Sequence, residues 1–218
     1  GGEDGAEGSP DGTVEVEWYY RPGSHLRPVF GQAAQENKDK LFSAAEVECS
    51  LEEYATGEGL AREGAQVELN KLLRSLYNKS EPQQVGDVVE LKELLPRLIE
   101  KIQLHHHLTR KRKDGSEAEV WGRGEVKPVH MMAEDRHIGR KFITRVTNLE
   151  QFGLDPDEVA ATLKANHQCA ATVVQLPGTN AGKEISLQGK LLAELRDLLV
   201  LQHGIGMNYI ELGGKVPW

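Results

Sequence analysis

Basic side chains concentrate in one short stretch of the chain, and phosphate binding is the chemistry that they can perform. The residues concerned are Arg136, His137, Gly139, Arg140, Lys141 and, four positions later, Arg145. Lysine and arginine neutralise phosphates and release counterions, which gives affinity for a nucleic acid with little dependence on its sequence. A glycine near the loop tip lets the backbone approach a ligand closely. The sequence therefore predicts that these six residues contact a polyanion.

The overall charge opposes this interpretation until its distribution is considered. The formal net charge is −8, and the first 17 residues hold six acids and no base. Residues 110–145, in contrast, contain ten lysines and arginines against six acids, a local excess of four. We interpret this excess as a basic patch for a polyanion, with a solvated charged connector as the alternative.

A second loop, residues 177–182, joins two predicted strands and is the weaker candidate. Its possible contacts are Gly178, Thr179, Asn180 and the adjacent Lys183. Only Lys183 is basic, so contacts of this loop with a phosphate backbone contribute less to the predicted affinity.

Other reactive residues do not form a recognisable catalytic or metal-binding pattern. Residues 105–107 are three consecutive histidines, which do not share one face of a helix or strand, so we favour a polar helix end or a hairpin strand over a metal site. Cys49 and Cys169 lie far apart, which disfavours a disulfide scaffold and suits the reducing cytosol. The sequence has neither a phosphate-binding P-loop nor a nucleophile elbow. We expect no catalytic residue, no cofactor, no metal and no enzymatic activity.

The ends and the hydropathy of the chain suggest part of a longer cytoplasmic protein. No run of about 18 apolar residues predicts a transmembrane helix, and no signal peptide is recognisable. The chain begins with Gly1 rather than methionine, so we expect it to be a fragment of a protein with further N-terminal domains.

The first half predicts a short set of helices after a disordered tail. Residues 1–14 are mostly glycine, serine, proline and acids, which bury too little apolar surface to become ordered. Ser43 and Glu46 have the spacing of a capping box, and a second helix is predicted over 70–77. Pro96 is expected to be the first residue of a third helix, with a longer kinked helix as the alternative.

The second half predicts an α+β sandwich with its helices on one face. A hairpin of 103–110 with 117–122, closed by a type I′ turn at Asp114 and Gly115, is expected to end the first domain. The elements predicted after it are strands 126–132 and 142–146, a helix capped by Asp155 with Pro156 first, a hairpin of 170–176 with 184–188, a helix over 191–199 and an edge strand over 207–212.

Several of these motifs resemble known families. The second half resembles the SUI family, which has the fold of eukaryotic translation initiation factor one. The residues that carry this resemblance are Gly139-Arg-Lys141, Ile143-Thr144, the helix after Asp155, Cys169-Ala-Ala-Thr-Val173 and Ile185-Ser-Leu-Gln-Gly189. Arg140-Lys-Phe-Ile-Thr-Arg-Val146, followed by Asn-Leu-x-x-Phe-Gly-Leu-Asp-Pro, resembles the ligatin family, also called the initiation factor 2D family. Upstream, Ser43, Glu46, Val47 and the leucines of 69–77 are similar to a SWIB-type helical domain. This order of domains resembles the C-terminal part of the ligatin family.

The resemblance implies both a domain plan and a function. Residues 1–14 are an acidic tail, 15–122 a mostly helical SWIB-like domain, and 123–218 a ββαββα SUI-type domain. The implied function is that of a cytoplasmic translation factor on the small ribosomal subunit near the peptidyl site, with rRNA, initiator or deacylated tRNA and mRNA as partners. It supports tRNA delivery or release without GTP, in alternative initiation and in recycling after termination. The alternative is a protein-interaction module that holds a helix in a SWIB-type groove.

Overall fold

The structure is a computed structural model that describes residues 14–136 and 141–218. It has the α+β class predicted from the sequence, and no helix among the described residues is long and apolar enough to cross a membrane. The chain divides into two compact units. The N-terminal unit holds Glu17–His106 and Arg123–Glu125, and the C-terminal unit holds His107–Gly122 and Val126–Trp218 together with residues 14–16.

Helices α2 and α4 form the centre of the N-terminal unit. Its elements are β1 (Val14–Arg21, which begins in the other unit), a 3-10 turn (Arg27–Phe30), α1 (Gly31–Glu36), β2 (Phe42–Ser43), α2 (Ala44–Gly57), β3 (Ala61–Arg62), β4 (Gln66–Glu68), α3 (Lys71–Arg74), β5 (Val88–Glu90) and α4 (Leu91–Lys101). The predicted capping box is confirmed, because the Ser43 hydroxyl accepts from Glu46 N–H and the Glu46 carboxylate accepts from Ser43 N–H. The helix therefore begins where the sequence predicts.

The expectation that Pro96 begins a helix is wrong. Helix α4 begins at Leu91 and contains Pro96 in its interior, where proline lacks an N–H and costs about 3 kcal/mol. Leu94 and Leu98 on either side of it are fully buried. Burial of each leucine contributes roughly 1.5–3 kcal/mol, which offsets the cost of the proline. Packing therefore decides where this helix begins.

The C-terminal unit contains a five-stranded sheet with two helices against it. Its elements are β6 (Gln103–Lys111, which begins in the other unit), β7 (Glu117–Arg123), β8 (Val129–Asp135), β9 (Phe142–Thr147), a 3-10 turn (Leu149–Phe152), α5 (Pro156–His167), β10 (Ala171–Gln175), β11 (Lys183–Gln188), α6 (Leu192–Asp197), a π-helical turn (Leu198–Gln202), a 3-10 turn (Met207–Tyr209) and β12 (Ile210–Gly213). The strand order is β10-β11-β9-β8-β12, antiparallel except for the edge strand β12, which runs parallel to β8. The predicted ββαββα order is confirmed. Strand β8 begins three residues later than predicted, directly after Pro128, which has no N–H to donate to a neighbouring strand.

The hairpin of β6 and β7 differs from its prediction in two respects. From His107 onward it belongs to the C-terminal unit, because Leu108 is fully buried in the core of that unit. Its turn is not of type I′, since Gly115 has a positive φ of 82° and Asp114 does not. The Gly115 N–H donates to the Arg112 carbonyl at 3.0 Å, which makes a β-turn followed by a left-handed glycine. The functional boundary near residue 122 and the domain types on its two sides stay predictions.

Helices α5 and α6 cover the inner face of the five-stranded sheet. Asp155 caps α5 as predicted, accepting a hydrogen bond from Asp157 N–H at 2.9 Å. Leu163 of α5 and Leu195 of α6 are almost completely buried and belong to the same core as the strand residues Val146 and Ile185. This core fixes the sheet ends from which the loops emerge.

We expect Leu195→Ala to lower the unfolding free energy by about 2–5 kcal/mol, because Leu195 is 0 % exposed and its truncation leaves a cavity. The measurement is urea denaturation at equilibrium. Leu201→Ala, whose side chain is 67 % exposed on the following π-helical turn, is the matched control and should change stability by less than about 0.5 kcal/mol. Equal effects of the two substitutions would contradict the packing of α6 on the sheet.

Candidate RNA interface

A buried threonine fixes the sheet end at which the predicted basic loop lies. Thr144 of β9 is 0 % exposed. Its hydroxyl donates to the Gly189 carbonyl at 2.7 Å and accepts from Leu191 N–H at 2.9 Å. Next to it, the Gly189 N–H donates to the Phe142 carbonyl at 2.8 Å. The beginning of β9, the end of β11 and the beginning of α6 are thus tied together.

The two predicted contact loops lie at opposite ends of the sheet. Asp135 pairs with Phe142 across the 136–141 loop, and Gln188 of β11 pairs with Ile143 at this same end. Ile185 pairs with Val146 near the other end of β9, where the 177–182 loop precedes β11. From Phe142 to Thr147, the two ends of β9, five residue steps correspond to about 17 Å. The structure therefore does not bring the two sets of predicted contacts into one patch.

Arg136 and Lys141 form the described base of the first loop. Both residues are exposed, and Arg136 N–H donates to the Lys141 carbonyl at 2.9 Å. This hydrogen bond holds the two ends of the loop together, so both basic residues are presented at one point of the sheet. The predicted contacts His137, Gly139 and Arg140 lie outside the described residues, and their role stays a prediction.

Arg145 differs from these loop residues because two carboxylates engage its guanidinium group. Nη1 donates to Glu184 at 2.6 Å, and Nε lies 3.4 Å from a Glu134 oxygen. The hydrogen bond to Glu184 is the main cause that raises the pKa of Arg145, with the charges of Glu184 and Glu134 adding to it. Since its charge is locally balanced, Arg145 is a weaker candidate for phosphate contact than Arg136 or Lys141.

The second loop has exposed residues but little available positive charge. Gly178, Thr179 and Asn180 are exposed, and Gly178 and Asn180 have positive φ values of 111° and 55°. The Lys183 ammonium donates to the Asp157 carboxylate at 2.5 Å, which raises the pKa of Lys183. These contacts stay predictions, located on a surface separate from the first loop.

Arg110 belongs to the basic patch of the sequence, but the structure buries it completely. Its Nε donates to the Phe152 carbonyl at 2.9 Å, and its Nη1 donates to the His203 carbonyl at 2.8 Å. Burial, with a contribution from the nearby Arg112 charge, lowers the pKa of Arg110. The signal in the sequence is the two-residue period of a strand, which places Arg110 on the same face as the apolar Leu108. Arg110 is therefore a structural residue of the core.

The three histidines lie on strand β6, one of the alternatives left open by the sequence. His106 is buried, and its Nδ1 lies 2.7 Å from the Gly124 carbonyl oxygen. His107 stacks on Trp121 with 4.2 Å between ring centroids, and His105 Nε2 lies 3.1 Å from Gln103 Oε1. Among the residues that the structure describes, no group of three or more His, Cys, Asp or Glu side chains is arranged to hold a metal.

Residues 125–206 match the family described as translation initiation factor SUI1. The chain is 26 % identical over 217 residues to eukaryotic translation initiation factor 2D of Bos taurus, covering 99 % of this chain and 36 % of that protein. The Homo sapiens protein of the same name is 26 % identical over 211 residues, covering 96 % and 35 %. The chain thus spans little more than a third of the length of these curated relatives.

Among solved structures, the C-terminal domain of human eIF2D superposes with a TM-score of 0.72 at 24 % identity. The match covers 90 % of this chain and 96 % of that one, and it shows that the two have the same fold. Together with the SUI1 match, it agrees with the resemblance predicted from the residues of both halves.

We expect Arg145→Met to act on stability rather than on RNA affinity. It removes the cation between Glu134 and Glu184, so the unfolding free energy at pH 7 should fall by about 1 kcal/mol, a value kept small because the pair is partly solvated. Urea denaturation measures this, with Lys164→Met on the exposed face of α5 as the control. Unchanged stability together with weaker RNA binding would instead show that Arg145 contacts RNA directly.

Proposed function

We propose that this chain is a translation factor of the small ribosomal subunit and a member of the ligatin, or initiation factor 2D, family. It is similar over nearly its whole length to eukaryotic translation initiation factor 2D, and it has the fold of the C-terminal domain of the human protein. The observation that carries the proposal is the exposed pair Arg136 and Lys141 at one sheet end of the SUI1-matching region. These cations mark the base of a loop that contacts phosphates of rRNA near the peptidyl site.

The proposed mechanism is binding and positioning, without a chemical step by this chain. Cations around the 136–141 loop neutralise rRNA, tRNA or mRNA phosphates, while the sheet holds the loop in place. Through this contact the protein supports delivery of initiator tRNA or release of deacylated tRNA without GTP, in alternative initiation and in recycling after termination. It acts in the cytoplasm, with the N-terminal domains of a longer protein contributing further contacts.

A second candidate function is supported by a groove in the N-terminal unit. Two cavities of about 230 and 270 Å³ lie beside helix α2, and both are lined by Glu52, Ala65 and Leu91. Leu95 adds apolar surface to one of them. Adjoining apolar cavities along a helix can accept successive side chains of an amphipathic partner helix. This is the SWIB-type protein-interaction alternative, and it is compatible with RNA binding by the other unit.

The salt dependence of binding tests the proposed RNA contacts. Replacing Arg136, Arg140 and Lys141 by alanine should weaken binding to purified small subunits. The slope of log K against log salt concentration should fall by roughly two to three units, because each phosphate contact contributes about 0.9 in duplex-like RNA and less in single strands.

Lys164→Ala is the matched control for this experiment. It also removes one exposed lysine of the C-terminal unit, but from helix α5, to which no RNA contact is assigned, so the slope should stay the same. If the triple variant folds and keeps the original slope, the 136–141 loop does not contact the phosphates.

Competition with initiation factor one tests the location on the subunit. Because the C-terminal unit matches the SUI1 family, we expect this chain to displace labelled initiation factor one from purified small subunits. Fluorescence anisotropy of the labelled factor measures the displacement, and the triple loop variant should require a higher concentration. Simultaneous binding of both proteins would contradict the shared site and favour the protein-interaction alternative.

A further inference from the structure

The last residues of the chain reach the same sheet end as the 136–141 loop. Strand β12 runs parallel to β8, and Gly213 pairs with Met132. The chain after Gly213 therefore continues in the direction in which β8 ends at Asp135. Lys190 arrives at this end from another element, because it follows Gly189, whose N–H donates to the Phe142 carbonyl.

Trp218 is held at this end with part of its ring accessible. Its side chain is 38 % exposed, and the guanidinium carbon of Arg196 lies 5.4 Å from the ring centroid. The Lys190 ammonium donates to the Trp218 carbonyl at 3.4 Å. A guanidinium over one face of an indole is a cation–π arrangement that restricts the ring, and the exposed fraction of Trp218 leaves part of it accessible to a ligand.

Further basic side chains lie at the same end of the sheet as this ring. Lys190 and Lys215 are exposed and add to Arg136 and Lys141 at the same end of the sheet. The Asp197 carboxylate binds Arg196 at 2.9 Å. Arg196 and Lys190 contact Trp218, and Lys215 lies three residues before it in the chain.

We infer that Trp218, Lys190 and Lys215 form a binding site for single-stranded RNA. The Trp218 ring stacks on an unpaired base, and the two lysines neutralise the phosphates on either side of it. This inference rests on the proposed function for its ligand, RNA of the small subunit or mRNA, and it extends the contact from the 136–141 loop to a second element.

The chemistry of the site favours single-stranded RNA over other occupants. Single-strand sites combine cations along the backbone with aromatic rings on which bases stack, and the bases of a duplex are not accessible for such stacking. Protein–protein interfaces, in contrast, are depleted in lysine relative to the rest of the surface. Two exposed lysines next to one tryptophan therefore suit a polyanion with flat bases.

Tryptophan fluorescence tests the stacking directly. The chain has three tryptophans, so Trp18→Phe with Trp121→Phe leaves Trp218 as the sole indole emitter. We expect an unstructured oligouridylate of about 12 nucleotides, within the usual range of single-strand sites, to quench this emission on binding. An equal quench by a duplex RNA of the same length, or no quench by the single strand, would overturn the inference.

Affinities of single variants complete the experiment. Trp218→Ala should weaken binding of the oligouridylate by roughly 5- to 150-fold, the effect expected for one base–aromatic stack, whereas Trp218→Phe should keep most of the affinity. Lys190→Ala with Lys215→Ala should reduce the salt slope by about 1.4, at about 0.7 per single-strand phosphate contact. Trp121→Ala, which removes the other exposed tryptophan of the C-terminal unit (55 % exposed), is the control and should leave the affinity unchanged.

The same variants separate this inference from the proposed function. If Trp218→Ala folds and binds both the oligonucleotide and small subunits like the parent chain, the stacking site is wrong and the proposed function stands. If the parent chain shows the quench but has no affinity for small subunits, the proposed function fails and the single-strand site stands.

Discussion

The register of β9 is the constraint on which the candidate interface depends. Its pairing with β8 and β11 places Phe142 beside Asp135 and Ile143 beside Gln188. The buried Thr144 hydroxyl strengthens this arrangement, because it both donates to Gly189 and accepts from Leu191. A one-residue shift of β9 would turn Thr144 to the other face of the sheet and break both hydrogen bonds. The positions of Arg136 and Lys141 at the ends of β8 and β9 thus follow from this strand pairing.

Local pairing of charges matters more here than the net charge of the chain. A net charge of −8 would repel RNA at long range, but ionic screening limits that effect to about 8–10 Å at physiological salt. At shorter range the individual cations decide whether RNA binds. Some of them are unavailable to a ligand, because Arg110 is buried and carboxylates neutralise Arg145 and Lys183. The lysines and arginines that remain exposed near the 136–141 loop are the ones to which we assign the RNA contacts.

The two proposed kinds of binding, to RNA and to protein, belong to different units of the chain. The C-terminal unit presents exposed cations at a sheet end, whereas the N-terminal unit has apolar cavities beside α2. Linking two weak contacts in one chain raises the effective concentration of the second contact once the first has formed. In a longer protein, further domains would add to this effect without any change in these contacts.

The sequence by itself determined the elements whose signals are local. The Ser43 capping box, the Asp155 cap and the leucine spacing of α6 depend on residues within a few positions of one another, and the structure confirms all three. In the second half, the ββαββα order of strands and helices followed from such signals, whereas strands β1 to β5 of the first half were not predicted. For α4 the local signals left two alternatives, and the longer helix is the one observed, because burial of Leu94 and Leu98 outweighs the local preference of Pro96.

Only the tertiary structure decided which of the basic residues are available to a ligand. The burial of Arg110 and the ion pairs of Arg145 and Lys183 join residues that are between 11 and 93 positions apart in the chain. The separation of the two candidate loops likewise follows from strand order, and so does the meeting of Trp218 with Lys190. Charge and aromaticity are visible in a sequence, but partners brought together by folding determine whether a side chain can reach a phosphate or a base.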